Sequence, residues 1–158
     1  MPPRLPRPAV VLLATVVLGV TGWGMAGYLR PGDRPAIDPT DAAQVALGLR
    51  VYEQNCAQCH GAGLEGQPDW KSRRADGRLP APPHDPSGHT WHHPDQVLFD
   101  IIKNGMKPPV APAGYESDMP GYADILSDAE IAAVIAYIQA QWPADIRARQ
   151  RQIDASAR

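Results

Sequence analysis

The chain has 158 residues, 44% of them hydrophobic, with 18 prolines, two cysteines and a formal charge of −2. That length holds one domain of ordinary size plus a further segment, and two cysteines are too few for a disulfide-stapled scaffold. Arg4, Arg7 and Arg30 flank the one long apolar stretch, which leaves 12 basic against 17 acidic residues in 31–158, a formal −5 that argues against nucleic-acid binding.

Taken in chain order, the first element is an apolar run. Residues 9–29, AVVLLATVVLGVTGWGMAGYL, carry no charge, and about 20 apolar residues span a bilayer core. Arg4 and Arg7 precede the run, and basic residues stay on the cytoplasmic side. Trp23 and Tyr28 lie near its far end, where aromatic side chains favour the interface. The alternative is a cleaved signal peptide with its apolar core from Ala9 to Val20, although Gly24-Met25-Ala26 is a poor small-x-small cleavage site. Both readings export everything that follows.

Residues 31–40, PGDRPAIDPT, read as a linker with three prolines, and Asp38 or Thr40 is expected to cap the next helix. Ala42 to Asn55 has helical composition, with Val45, Leu49 and Tyr52 at helical spacing. Residues 61–93 are rich in Gly, Pro and charge and read as a loop. Pro94 suits the first turn of a helix whose apolar stripe is Val97, Leu98, Ile101 and Ile102, ended by Gly105. Residues 106–126 form a second loop with four prolines. Ser127 and Glu130 make a capping box ahead of Ile131, Val134, Ile135 and Ile138. Trp142 closes that helix, and Pro143 stops its continuation. The polar tail from Ala144 is either helical or disordered. No segment alternates with period two for long enough to be a strand. The expected organisation is therefore an anchor at 1–30, a linker at 31–40, an all-α domain at 41–143 and a tail at 144–158.

The chemistry lies in Cys56-Ala57-Gln58-Cys59-His60, a Cys-x-x-Cys-His of the kind that attaches c-type haem. Cysteines three apart on one helical turn face the same side, so both thiols reach the two vinyl groups of one haem. His60 then reaches the iron, and Gly61 and Gly63 let the backbone turn close to the macrocycle. A thioredoxin-like pair needs a preceding strand, which the pattern lacks. A zinc site would use Cys56, Cys59 and two of His89, His92 and His93, but the gap from Cys59 to His89 is longer than finger spacing. A six-coordinate haem iron needs a second ligand, for which Met106 and Met119 are the downstream thioethers.

These residues, together with others over 41–142, resemble the class I monohaem cytochrome c family. Gly48-x-x-x-Tyr52-x-x-x-Cys56 is similar to the family's first helix, whose Gly and aromatic pack against a later helix bearing the counterpart of Tyr137-Ile138. Met119-Pro120-Gly121-Tyr122 resembles the segment that carries the sixth ligand, and Leu126-Ser127-Asp128-Ala129-Glu130-Ile131 resembles the approach to the last helix. The resemblance implies an all-α cytochrome c fold with one covalently bound haem c, here preceded by a single N-terminal transmembrane helix. It favours Met119 over Met106 as sixth ligand. It also implies that a proline carbonyl, here Pro82 within Pro80-Ala81-Pro82-Pro83, accepts the proximal histidine's N–H.

The departure from the family is the segment 83–94, PHDPSGHTWHHP, which holds His84, His89, His92 and His93. Imidazole binds copper and zinc, so His89, His92 and His93 are a candidate second metal site. Against that stands a loop whose histidines cap the next helix, contact haem propionates or sit in water. The function expected is a carrier of single electrons rather than an enzyme. It would be anchored in a bacterial inner membrane with the haem domain in the periplasm. Its redox partners would be a quinol-oxidising complex or a terminal oxidase. The alternatives are a metal-handling module using the His84–His93 segment and a peroxidase-like enzyme in which Met119 leaves the iron.

Overall fold

A computed structural model describes residues 34–157. Helix α1 (Ala42–Asn55) starts where the carboxylate of Asp41 accepts from the backbone N–H groups of Ala43 and Gln44. The cap is thus neither Asp38 nor Thr40. Asp38 instead accepts from the N–H and the hydroxyl of Thr40 at 2.8 and 2.6 Å, which builds the turn ahead of the cap. Cys56 ends α1 and leads directly into the single turn α2 (Ala57–His60).

A 3-10 turn, Thr90–His92, precedes helix α3 (Asp95–Asn104). Pro94 stands at the N-cap rather than inside the first turn, and Gly105 ends the helix with φ of 76°. The inward face of α3 is Leu98, Phe99 and Ile102. The expected stripe omitted Phe99, which is 2% exposed and carries Arg34 across its ring at 4.9 Å. Arg34 also donates to Asp100 at 2.9 Å, which ties the linker to this helix.

Helix α4 (Asp128–Ala140) opens with both hydrogen bonds of the Ser127/Glu130 capping box in place. The sequence pattern gave it one apolar face, yet every residue from Ile131 to Ala136 is buried. A helix apolar on all sides takes the centre of a fold, and α4 does so here. Trp142 lies past the helix end and is itself buried.

The tail is a helix, α5 (Ala144–Ser156). Its polar composition conceals why it docks, because the holding groups are themselves polar. Gln150 is buried and donates to the Asp95 carboxylate at 2.7 Å, beside the 2.6 Å bond to the same oxygen from Gln139 of α4. Asp154 in turn accepts from the Asp95 N–H at 3.0 Å. One α3 residue therefore gathers α4 and α5.

Among the described residues there is no strand. No helix among them is long and apolar enough to cross a membrane. The span expected within residues 1–30 lies outside the described residues.

The tightest packing joins α1 to α4. A Cβ built on Gly48 would lie 2.0 Å from the carbonyl oxygen of Ala133 and 2.7 Å from Cβ of Tyr137. One turn on, the Tyr52 ring meets the Tyr137 ring at 5.4 Å. Burying side chains such as Tyr52, Ile131 and Ile135 in this seam contributes on the order of 1.5–3 kcal/mol each. Gly48→Ala forces the two backbones apart and is expected to lower stability by at least about 1–3 kcal/mol, the usual range for overpacking. Urea unfolding measures this, and a midpoint equal to the wild type would show that the close approach carries no weight.

Candidate functional site

The site grows from the junction of α1 and α2. Cys56 N–H closes α1 by donating to Tyr52 O at 2.8 Å, and the N–H groups of Cys59 and His60 both turn back to Cys56 O. Both thiols and the imidazole therefore project from one turn and its first residue. Cys59 is exposed, whereas Cys56 is half-buried. Burial, with the neighbouring Cys59 second, pushes the Cys56 thiol up to about 11. The Tyr52 hydroxyl donates to Gly61 O at 2.7 Å, fastening the exit of this turn to α1.

His60 is 7% exposed. Its Nδ1 lies 2.9 Å from the carbonyl oxygen of Pro82. That contact depends on a crossing of two loop segments. Gly66 N–H donates to His60 O, Gln67 N–H to Ala81 O, and Ala81 N–H to the Gln67 side chain. His84 and Asp85 then donate their N–H groups to Leu64 O. Gly66 has φ of 68°, and a Cβ there would strike the backbone of Pro82 and Pro83. This ladder presents the Pro82 carbonyl to the ring. A carbonyl only accepts, so Nδ1 carries the hydrogen and Nε2 keeps its lone pair. Burial holds the His60 pKa below its ordinary value, with the Pro82 bond opposing in part, so the neutral ring is favoured.

Met119 lies on the loop between α3 and α4. That loop is tied to α3 by the N–H groups of Tyr122 and Ala123, which donate to Ile102 O and Lys103 O, each at 3.0 Å. It is tied to the cysteine turn by the Tyr122 hydroxyl, which donates to Asn55 O at 2.8 Å. A third tie escaped the sequence reading. Asp118, the residue before Met119, accepts from both Arg74 and Arg78 of the preceding loop, at 2.7 Å from Arg78. The hydrogen bonds from Arg74 and Arg78 hold the Asp118 carboxyl below the usual range. Nothing in the sequence marks Asp118 and two arginines 44 and 40 positions before it as one cluster.

The histidines of 83–94 separate. His84 is internal: its ring stacks on that of His60 at 4.0 Å. The other three lie outward, with His89 stacked on Trp70 at 5.3 Å, His93 edge-on to His89, and His92 against Trp91. Among the described residues no three or more His, Cys, Asp or Glu side chains form a group that could hold a metal ion. Neither the triad His89, His92 and His93 nor the four-ligand zinc set is among such groups.

The donor set fits a haem. Two thiols and a neutral imidazole with a free Nε2 share one turn. In addition, Trp91 Nε1 is a buried donor that makes no hydrogen bond, the kind of group that a haem propionate would satisfy.

A family model described as cytochrome c matches residues 45–142. A cytochrome bc1 complex cytochrome c subunit of Mycobacterium bovis is 28% identical over 87% of this chain and 41% of its own length. Photosystem II extrinsic protein V of a Synechococcus is 33% identical, over 73% of this chain and 61% of its own. The cbb3-type cytochrome c oxidase subunit FixP of Sinorhizobium medicae is 27% identical, over 60% of this chain and 29% of its own. This chain thus spans about two fifths of the length of the Mycobacterium subunit. No solved structure matches.

Removing the charge of Asp118 is expected to loosen the Met119 loop without unfolding the helices. Asp118→Asn should be cut by chymotrypsin after Tyr115 severalfold faster than the wild type, with unchanged far-ultraviolet circular dichroism. Equal cleavage rates would show that the two arginines do not restrain the loop.

Proposed function

The chain belongs to the cytochrome c family, and on that premise we propose that it carries single electrons on one covalently attached haem c. The observation that carries the reading is the 2.9 Å approach of His60 Nδ1 to Pro82 O beside two thiols on the same turn. When bound, the haem supplies an iron that accepts and returns one electron. Cys56 and Cys59 would hold the haem through thioether bonds to its two vinyl groups. His60 would hold the iron through Nε2, and the Pro82 carbonyl makes that nitrogen more basic and fixes its tautomer.

Met119 would supply the second ligand to the iron. Its loop is held by Tyr122 on one side and by Asp118 on the other. With His60 and Met119 both holding the iron, no position would be left on it for a substrate, and the chemistry it would supply is outer-sphere transfer of one electron.

Residues 9–29 anchor the protein in a bacterial inner membrane, and the haem domain faces the periplasm. The support is the uncharged run and the arginines before it. An anchor confines diffusion to the membrane plane. The relatives named for a bc1 complex and a cbb3-type oxidase support a quinol-oxidising complex or a terminal oxidase as redox partner.

The reduced-minus-oxidised visible spectrum, the near-infrared spectrum of the oxidised form and haem staining of a denaturing gel test this together. The expected result is covalent haem with a Met–Fe charge-transfer band that disappears in Met119→Ala and persists in Met106→Ala. Absence of covalent haem from cells able to attach it would sink the reading. Covalent haem whose band survives Met119→Ala would replace the second ligand alone.

A further inference from the structure

We propose that His84 is a positioning residue for His60, its ring lying flat on the His60 ring and fixing the plane of that imidazole. This rests on the reading of His60 as an iron ligand.

The hydrogen bond from His60 Nδ1 to Pro82 fixes one direction of the ring. It leaves the ring free to rock about that bond. A flat neighbour on the ring face removes this freedom, and His84 is that neighbour, with centroids 4.0 Å apart and planes within 21°. His84 is anchored at four points. Its N–H donates to Leu64 O at 2.8 Å, within the same crossing that presents the Pro82 carbonyl. Its own carbonyl accepts from Trp142 Nε1 at 2.7 Å, and Trp142 is 2% exposed. Its Nδ1 lies 2.8 Å from the hydroxyl of Thr90, a buried residue. The edge of its ring meets the Tyr52 ring, with centroids 6.5 Å apart and planes at 73°.

The chain of bonds sets the tautomer. The Thr90 hydroxyl reaches towards Pro83 O at 3.4 Å, so its oxygen is left to accept from His84 Nδ1–H. The consecutive carbonyls of Pro82 and Pro83 thus terminate two parallel arrangements, His60 to Pro82 directly and His84 to Pro83 through Thr90. The two imidazoles share a protonation pattern and lie face to face. Burial first, then the neighbouring His60 and His89, holds the His84 pKa well below its ordinary value, which is consistent with a neutral ring.

In a low-spin ferric haem, the plane of an axial imidazole sets the pattern of unpaired spin over the macrocycle. That pattern is read in the order of the haem-methyl proton resonances and in the anisotropy of the electron paramagnetic resonance spectrum. The test compares the haem-loaded wild type with His84→Leu, which keeps bulk but loses the flat face, with His84→Phe, which keeps the flat face, and with Thr90→Val, which frees the ring. The expected result is a changed methyl order and altered anisotropy in His84→Leu, a near-wild-type pattern in His84→Phe, and broadened lines in Thr90→Val. The Met–Fe band should persist in all three. If His84→Leu does not mature, Thr90→Val carries the same test. A role in packing alone would lower the unfolding temperature and leave the methyl order untouched, and that outcome overturns the proposal. A wild type whose spectrum shows no His60-ligated iron overturns it together with the proposed function, whereas an unchanged methyl order in His84→Leu, beside a normal low-spin wild type, overturns this inference alone.

Discussion

The contact between Gly48 and Ala133 is the constraint on which the rest of the molecule is hung. Two helices meet with no side chain between them, and the carbonyl of one occupies the space where the other would carry a Cβ. This approach places Tyr52 under Tyr137, and Tyr52 in turn holds Gly61 at the exit of the cysteine turn. The buried centre of α4 supplies the apolar floor, while the residue just past its end, Trp142, reaches the carbonyl of His84. A seam of helices thus sets where the irregular segments must lie.

Those irregular segments make the site, and hydrogen bonds hold them together with buried apolar side chains such as Leu64. The 61–67 and 81–85 strips cross, fastened by Leu64, Gln67 and Ala81, and their crossing puts one proline carbonyl against one imidazole. The Met119 loop is attached to α3, to the end of α1 and to two arginines of the preceding loop. A side chain placed by such a mesh has little freedom to rearrange, which suits a centre that must change charge without moving.

Much of this was legible in the sequence because it is local. The span of α1, the capping box of α4 and the stop at Gly105 are written in residues a few positions apart. The cysteine turn and its histidine are likewise five consecutive residues. What could not be read depends on partners far along the chain. Asp41 rather than Asp38 caps α1 because Asp38 is engaged by Thr40, a competition between equivalent side chains that composition does not settle. Helix α5 looks like a solvated tail until Gln150 and Asp154 meet Asp95. Four histidines in one segment invite a single explanation, whereas the fold turns one inward against His60 and leaves three outside on aromatic rings.

The bond from Trp142 to His84 joins positions 58 residues apart, and the seam of α1 with α4 joins the two ends of the domain. Contacts of such long range form late, because the intervening chain must first be ordered. During synthesis, the cysteine turn is made well before α4 and α5 follow it. For that interval Cys56 and Cys59 are held by α1 at most, without the core that half-buries Cys56 in the finished protein. The order of residues along the chain therefore leaves both thiols open until synthesis of the domain is complete, and closes the fold behind them afterwards.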